Sequence, residues 1–194
     1  MHEVRWHGRG GQGAVTSSKI LARAAHLSGW EGVTAAPSFG AERRGAPITA
    51  TTRMAHEPIR VMSQVTTPDV VVVLDDSLLG VAAATAGLVP GGVVVVNTAR
   101  AAADLGLPDD VRVVASDVTG AAREAGVVVS GQPLVNTAIL GSVAAATGLV
   151  TMESVEAAIA EAFPETAAEK NIRAARLAFE RTAVTAGGTR WTST

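Results

Sequence analysis

Hydrophobic positions along the chain follow two different periods, which predicts a protein built from both strands and helices. Residues 70–74 form an unbroken apolar run, Val-Val-Val-Val-Leu, between Asp69 and Asp75. Val93 to Val96 form a second run of the same kind. Strands that are apolar on both sides are typical of a parallel sheet whose two faces are covered. The two runs therefore predict the centre of such a sheet.

Other segments extend this pattern in both directions. Glu3 to His7 is predicted to be a first strand, and Ala14 to Leu27 has the apolar stripe of a helix. The remaining predicted elements are strands at 33–36, 48–54, 59–63 and 111–115 and helices at 77–86, 132–147, 151–162 and 166–186. The third helix of that set is expected to be capped near Thr151.

The order of these elements predicts an α/β protein with a single three-layer αβα domain over residues 1–186 and a flexible tail at 187–194. Its sheet is expected to be Rossmann-like and mostly parallel, followed by a helical C-terminal part. Strands 48–54 and 59–63 are separated by four residues, so they are expected to pair as a small β-hairpin insertion. Their alternating Thr and Arg positions predict a face open to solvent or a partner.

Composition excludes several classes of function. The 194 residues contain no cysteine, which excludes disulfides, thiolate zinc sites and cysteine-held iron–sulfur clusters in this chain. A net charge of −2 without a basic block argues against nucleic-acid binding. The four histidines are scattered, so no metal site is expected. The N-terminus lacks a secretory signal and no apolar run could span a bilayer, so a cytoplasmic location is expected.

A glycine-rich segment follows the first predicted strand. Gly8, Gly10 and Gly13 match the G-x-G-x-x-G pattern, at which a backbone can approach an anionic group beside a helix N-terminus. A dinucleotide site would also need an acidic residue at the end of the second strand, but Ala35 to Ser38 stand there. The pattern leaves open a tight strand–helix crossing, another phosphate-bearing ligand, or contact with a partner chain.

A second polar loop combines Glu42 with two adjacent arginines, Arg43 and Arg44, between flanking glycines. It is either a solvated turn or a site at which guanidinium groups bind a phosphate, a carboxylate or an acidic surface. Loops at the carboxyl ends of strands converge on one edge of a doubly wound sheet. The loops at 8–13 and 37–47 are therefore expected to lie side by side.

These loops belong to longer motifs that resemble a known family. The matching segments are 7–14 (HGRGGQGA), 39–47 (FGAERRGAP), 63–64, 69–75, 136–141 (NTAILG) and 169–171 (EKN). In order and over nearly the whole chain, they resemble the gamma subunit of pyruvate:ferredoxin oxidoreductase and its 2-oxoacid relatives. Two long motifs at the right separation are much more specific than the glycine pattern alone.

The resemblance implies a division of labour between chains. In that family the alpha and beta chains bind thiamine diphosphate and magnesium, and a ferredoxin-like delta chain or domain holds 4Fe–4S clusters. The complex oxidatively decarboxylates a 2-oxoacid, usually pyruvate, and passes the acyl group to coenzyme A and electrons to ferredoxin. The gamma chain packs on the catalytic chains and helps to cover the coenzyme A site. By this resemblance the isolated chain binds no cofactor and is inactive.

The residues expected to act in this role lie in the two loops, and none is expected to be catalytic or to bind metal. The candidate binding residues are Gly8, Arg9, Gly10, Gly11, Gln12, Gly13, Glu42, Arg43 and Arg44. They are expected to hold coenzyme A or to lock against the alpha chain. Asn136 and Asp75–Asp76 are expected to cap helices. A purely structural assembly subunit and a free-standing dinucleotide-binding protein remain as alternatives.

Overall fold

The structure is a computed structural model that describes residues 1–37, 45–61, 63–80, 83–108 and 110–185. Eight strands are β1 (His2–Arg9), β2 (Gly32–Pro37), β3 (Pro47–Ala55), β4 (Val70–Val73), β5 (Val93–Asn97), β6 (Arg112–Ser116), β7 (Val128–Val129) and β8 (Gln132–Pro133) in the described ranges. Five helices in the same ranges are α1 (Ala14–Leu27), α2 (Val118–Glu124), α3 (Ala138–Thr147), α4 (Met152–Ala162) and α5 (Glu165–Thr185). The predicted tail, 187–194, lies outside the described residues.

Six of the strands form one mixed sheet in the order β2-β3-β1-β4-β5-β6. β1, β4, β5 and β6 are parallel to one another, whereas β3 runs antiparallel to both β1 and β2. The two valine runs form β4 and β5 and are completely buried, because both faces of these central strands are covered. The predicted α/β class with a mostly parallel sheet is confirmed.

All five helices contribute side chains to the large apolar core on one face of the sheet. Trp6 of β1 lies fully buried in this core, and its Nε1 donates a hydrogen bond to Thr52 Oγ1 of β3 at 3.0 Å. Thr52 Oγ1 in turn donates to the Ser18 carbonyl of α1 at 2.9 Å. These two bonds satisfy polar groups that would otherwise be costly to bury, and they join β1, β3 and α1.

The second face of the sheet is divided into an apolar half and a polar half. Over β4 to β6, alternate valines pack against Leu78 and Leu105, which belong to two short 3-10 segments, Asp76–Leu78 and Ala102–Leu105. This layer contains no α-helix within the described ranges. On β1 and β3 the same face carries polar side chains, namely those of Glu3, Arg5, His7, Thr49, Thr51 and Arg53.

Two predicted helices differ from the structure, and one helix was missed, for identifiable reasons. The helix at 77–86 is wrong where the chain is described, because Asp75 caps a single 3-10 turn and Arg5 binds the carbonyls of Ala84 and Ala86. The helix at 132–147 begins only at Ala138, after β8. Helix α2 was not predicted, although Asp117 caps it by accepting from the Gly120 N–H at 2.8 Å.

The predicted hairpin between 48–54 and 59–63 is also wrong. Both edges of β3 are already occupied, by β1 on one side and β2 on the other. Residues 59–61 and 63 form no strand, and Arg53 instead donates to the carbonyls of Val61 at 3.4 Å and Ser63 at 2.6 Å. A short hairpin forms elsewhere, between β7 and β8, where Ser130 and Gly131 adopt the positive φ angles of its turn.

The C-terminal helices pack against each other at very close range. A Cβ at Gly141 of α3 would lie 1.9 Å from the Ala175 carbonyl oxygen of α5, so only glycine fits there. One turn earlier, Thr137 Oγ1 donates to Asn171 Oδ1 at 2.5 Å. The segments 136–141 and 169–171 therefore contact each other. Asn136 does not cap α3 as expected, since Thr137 holds the N-cap position and Asn136 Oδ1 only accepts from the Thr137 N–H.

We predict that Gly141→Ala destabilises the protein, although glycine-to-alanine changes inside helices normally stabilise by about 1 kcal/mol. The new methyl group must push α3 away from α5, and overpacking of this kind costs about 1–3 kcal/mol. Urea unfolding followed by circular dichroism measures the change. Gly80→Ala is the matched control, because no atom lies within 4 Å of a Cβ at Gly80. Equal free energies of unfolding for the two variants would contradict the close contact.

Candidate functional site

A cleft of about 890 Å³ opens at the carboxyl ends of the parallel strands. Its walls come from the glycine loop after β1, from the segments that follow β4, β5 and β6, and from the β7–β8 hairpin. Ligands of open α/β sheets bind in the crevice outside the carboxyl ends of the strands. The position and size of this cleft make it the candidate functional site.

The glycine loop is shaped by two positive φ angles and two close contacts. Gly11 and Gly13 have φ angles of 95° and 85°, which residues with a side chain rarely adopt. A Cβ at Gly13 would also lie 2.7 Å from the Asn136 Cβ, and one at Gly8 would lie 3.1 Å from Leu74 Cδ1. The glycines therefore allow β1 to turn tightly into α1 against two neighbouring segments.

Asp75, at the end of β4, joins the glycine loop to the rest of the cleft. Its Oδ2 accepts from Arg9 Nε and from Gln12 Nε2, both at 3.1 Å. Its Oδ1 accepts from the Ser77 N–H at 3.1 Å and from the Ser77 hydroxyl. Asp75 is thus the cap of the 3-10 turn, as expected for a carboxylate at this position. The same carboxylate holds both long polar side chains of the glycine loop.

The electrostatics of this network favour an ionised Asp75. Partial burial by itself raises the pKa of the Asp75 carboxyl, but the hydrogen bonds from Ser77 and Gln12 and the charge of Arg9 outweigh it. The pKa of Asp75 therefore lies below its ordinary value. The other two guanidinium nitrogens of Arg9 also have partners, because Nη1 donates to the Gly45 carbonyl at 3.2 Å and Nη2 to Ser77 Oγ at 2.8 Å.

The two predicted loops meet at the described end of the second one. Gly10 N–H donates to the Ala46 carbonyl at 2.9 Å, and Gly45 N–H donates to the Gly10 carbonyl at 3.1 Å. The expectation that the loops lie side by side is confirmed for residues 45 and 46. Glu42, Arg43 and Arg44 lie outside the described residues. Gly10, Gly11 and Gln12 line the cleft.

The far side of the cleft contains polar residues that sequence analysis did not select. Asn97, the last residue of β5, accepts from the Thr119 N–H and donates to the Leu74 carbonyl, both at 3.0 Å. Thr98 donates to Asp76 Oδ2 at 2.8 Å. A signal for these residues was present, because Asn97 and Thr98 directly follow the second valine run. The rule that carboxyl-end loops converge applies to β5 as it does to β1.

Two cations face the same cleft. The Arg100 guanidinium donates to the Asp104 carbonyl. The guanidinium of the exposed Arg123 of α2 has no hydrogen bond or ion pair with any side chain or carbonyl that the structure describes. An arginine of this kind is available to an incoming anionic group. Beside it, Val128 and Val129 of the hairpin are 43% and 56% exposed.

Comparisons with known proteins agree with the resemblance seen in the motifs. Residues 3–181 match the family described as pyruvate ferredoxin/flavodoxin oxidoreductase. The chain is 52% identical over 189 residues to the pyruvate/ketoisovalerate oxidoreductases common subunit gamma of Pyrococcus furiosus, covering 95% of this chain and 98% of that one. It is 46% identical to pyruvate synthase subunit PorC of Methanothermobacter marburgensis, covering 93% and 97%.

A solved structure supports the same assignment. The pyruvate oxidoreductase subunit PORC of Thermotoga maritima superposes with a TM-score of 0.79 at 35% identity, covering 93% of this chain and 96% of that one. The chain belongs to the pyruvate ferredoxin/flavodoxin oxidoreductase family. Within that family it is a gamma-type subunit of an oxidoreductase complex.

Among the described helices, none combines the length and apolarity that a bilayer span requires.

We predict that Asp75→Asn lowers the free energy of unfolding by about 1–2 kcal/mol at pH 7, because charge-assisted hydrogen bonds are lost. The folded-state pKa of Asp75 is lowered, so its stabilisation exists above the unfolded-state pKa and is lost as pH falls through the folded-state value. The difference between wild type and variant should therefore shrink between pH 5 and about pH 2. Denaturant unfolding across this range, with the exposed Asp104→Asn as control, measures it.

Proposed function

We propose that this chain serves a 2-oxoacid:ferredoxin oxidoreductase that oxidatively decarboxylates a 2-oxoacid, with pyruvate as the first candidate, to an acyl-CoA and CO2. Thiamine diphosphate, magnesium and the 4Fe–4S clusters are held by alpha, beta and delta partners, and ferredoxin accepts the electrons. The gamma chain packs on the catalytic chains and forms part of the cover over coenzyme A. The 52% identity to a gamma subunit over nearly the full length of both chains carries this proposal.

The geometry of the cleft supports a role in binding part of coenzyme A. The cleft has room for an extended ligand, and the glycine loop brings backbone without side chains to its wall. Arg123 offers a guanidinium with no described partner to a phosphate group, and a bidentate arginine–phosphate contact suits this purpose. In the second loop, sequence analysis proposed Arg43 and Arg44 together with Glu42. The two arginines would add cations to the site.

Arg9 and Gln12 have a different part in this proposal. Their side chains bind Asp75, so they position the glycine loop. The backbone at Gly10 and Gly11 faces the cleft, in which the ligand would bind. In mechanism the chain acts by positioning coenzyme A and by excluding water from the reacting centre. The carbanion-stabilising chemistry is supplied by thiamine diphosphate on the partner chains.

A purely structural subunit is the second candidate, and two observations favour it. All three donor nitrogens of Arg9 have protein partners, as expected for a residue that shapes a surface and binds no ligand. The exposed valines at the hairpin tip are the kind of surface that packs against another chain. A free-standing dinucleotide site is less compatible with the fold, because β3 separates β2 from the glycine loop.

The test uses the assembled complex and three arginine variants of this chain. We expect Arg123→Ala to raise the KM for coenzyme A about tenfold without loss of assembly, since a lost contact of about 1.4 kcal/mol weakens binding tenfold. Arg44→Ala is expected to lower coenzyme A-dependent turnover or assembly. Arg173→Ala, on the exposed surface of α5, is the control and should behave as wild type. Steady-state ferredoxin reduction at varied coenzyme A measures the effect.

Other outcomes separate the alternatives. Loss of assembly with an unchanged KM in the complexes that do form would favour the structural subunit. Binding of NAD(P) or FAD to the isolated chain in calorimetry would favour the dinucleotide-binding protein. If Arg123→Ala and Arg44→Ala change neither KM nor assembly, the proposed coenzyme A contacts are wrong, and the family assignment is unaffected.

A further inference from the structure

A second, smaller pocket of about 250 Å³ lies on the polar half of the second sheet face. Its floor is formed by two residues of β1 and two of β3, and its walls by the segments laid over them. The lining residues are Arg5, His7, Thr49, Thr51, Gln64, Val65, Ala83 and Ala86. None of them lines the cleft, so this pocket is separate from the site discussed above.

Arg5 is a half-buried cation with no counter-ion among the described residues. Its Nη2 donates to the carbonyls of Ala84 at 2.9 Å and Ala86 at 2.5 Å, and no carboxylate forms an ion pair with it. Burial holds the pKa of Arg5 below its ordinary value. Arg53, on the same face, contrasts with it, since its Nε lies 2.7 Å from Glu3 Oε1. Burying a charge is costly unless it is paired. An anion bound next to the half-buried Arg5 guanidinium would therefore be stabilising.

His7 adds a donor without an acceptor. Arg5 Nε donates to His7 Nε2 at 3.2 Å, so the proton of the neutral imidazole must be on Nδ1. Burial, assisted by the charge of Arg5, lowers the pKa of His7 to about 4, which keeps the ring neutral at pH 7. His7 is only 4% exposed, and its Nδ1 has no hydrogen-bond partner in the part of the chain that the structure describes. A buried donor without an acceptor destabilises the folded chain.

The two threonines place further donors in the same pocket. Thr51 is the cross-strand partner of Arg5, and Thr49 is the partner of His7. The Thr51 hydroxyl makes only a long contact, 3.4 Å, to the Ala36 carbonyl, and Thr49 has no side-chain hydrogen bond with a described residue. None of the described residues that line the pocket is a carboxylate. A cation and two hydroxyls thus line a space, next to the buried His7 ring, whose complement is an anionic oxygen group.

We propose that this pocket is an anion site that takes a carboxylate or a phosphate group, with the Arg5 guanidinium and the two threonine hydroxyls as its donors and the His7 ring beside them. The group comes either from a small anion in solution or from an acidic side chain of a partner subunit. The pocket volume suits one such group and is small for a nucleotide. The proposal rests on the geometry of β1 and β3 and does not depend on coenzyme A binding in the cleft.

The first arm of the test uses the isolated chain with isotopically labelled histidine. Sodium phosphate and sodium acetate are added at constant ionic strength while the ring resonances of His7 are followed by NMR. We expect saturable shifts with half-saturation on the order of 1 mM, which corresponds to about 4 kcal/mol. Arg5→Gln should abolish the response, and Arg173→Gln on exposed α5 should retain it. Thr49→Val, which changes a single hydroxyl, should weaken it several-fold even if Arg5→Gln fails to fold.

The second arm identifies the source of the anion by assembly with the partner chains. If a partner's carboxylate occupies the pocket, Arg5→Gln and added phosphate should each weaken assembly of the complex. If a small anion occupies it, phosphate should leave assembly unchanged and should still shift His7 in the isolated chain. Absence of a saturable His7 shift with either anion in the isolated wild-type chain would overturn the proposal.

Discussion

The position of β3 is the constraint on which the rest of the structure depends. This antiparallel strand lies between β1 and β2, which would be direct neighbours in a simple parallel sheet. It brings Gly45 and Ala46, at the end of the second loop, against Gly10. It also supplies the threonine and arginine positions of the polar sheet face. Both the cleft and the smaller pocket therefore depend on a strand that interrupts the parallel order.

The sequence predicted the elements whose signal is local. The valine runs, the first strand, α1 and the cap at Thr151 were found because burial on both faces, helical periodicity and capping leave direct traces in the residues. The glycine loop was selected for the same reason. Its neighbour at 45–46 was placed correctly by the general rule that loops at the carboxyl ends of strands converge.

The elements that were missed depend on contacts distant in the sequence. Residues 59–63 have strand-like composition, but β3 has no free edge to pair with them. Residues 77–86 have helical composition, but Arg5, about 80 positions earlier, binds the carbonyls of Ala84 and Ala86. The side chain of Arg9, for which sequence predicted a contact with coenzyme A or the alpha chain, also binds Asp75, 66 positions away. Tertiary contacts of this kind override local propensity, and no short window of sequence contains them.

The long sequence separation within the Asp75 network has a consequence for biogenesis. The contacts of Asp75 with Arg9 and Gln12 close loops of 66 and 63 residues, and closing such loops costs chain entropy. These contacts therefore persist only when the surrounding sheet has formed. A nascent or truncated chain that lacks β4 cannot hold the glycine loop in its final shape. The wall of the cleft that the glycine loop forms is therefore presented only by chains in which the sheet has formed through β4.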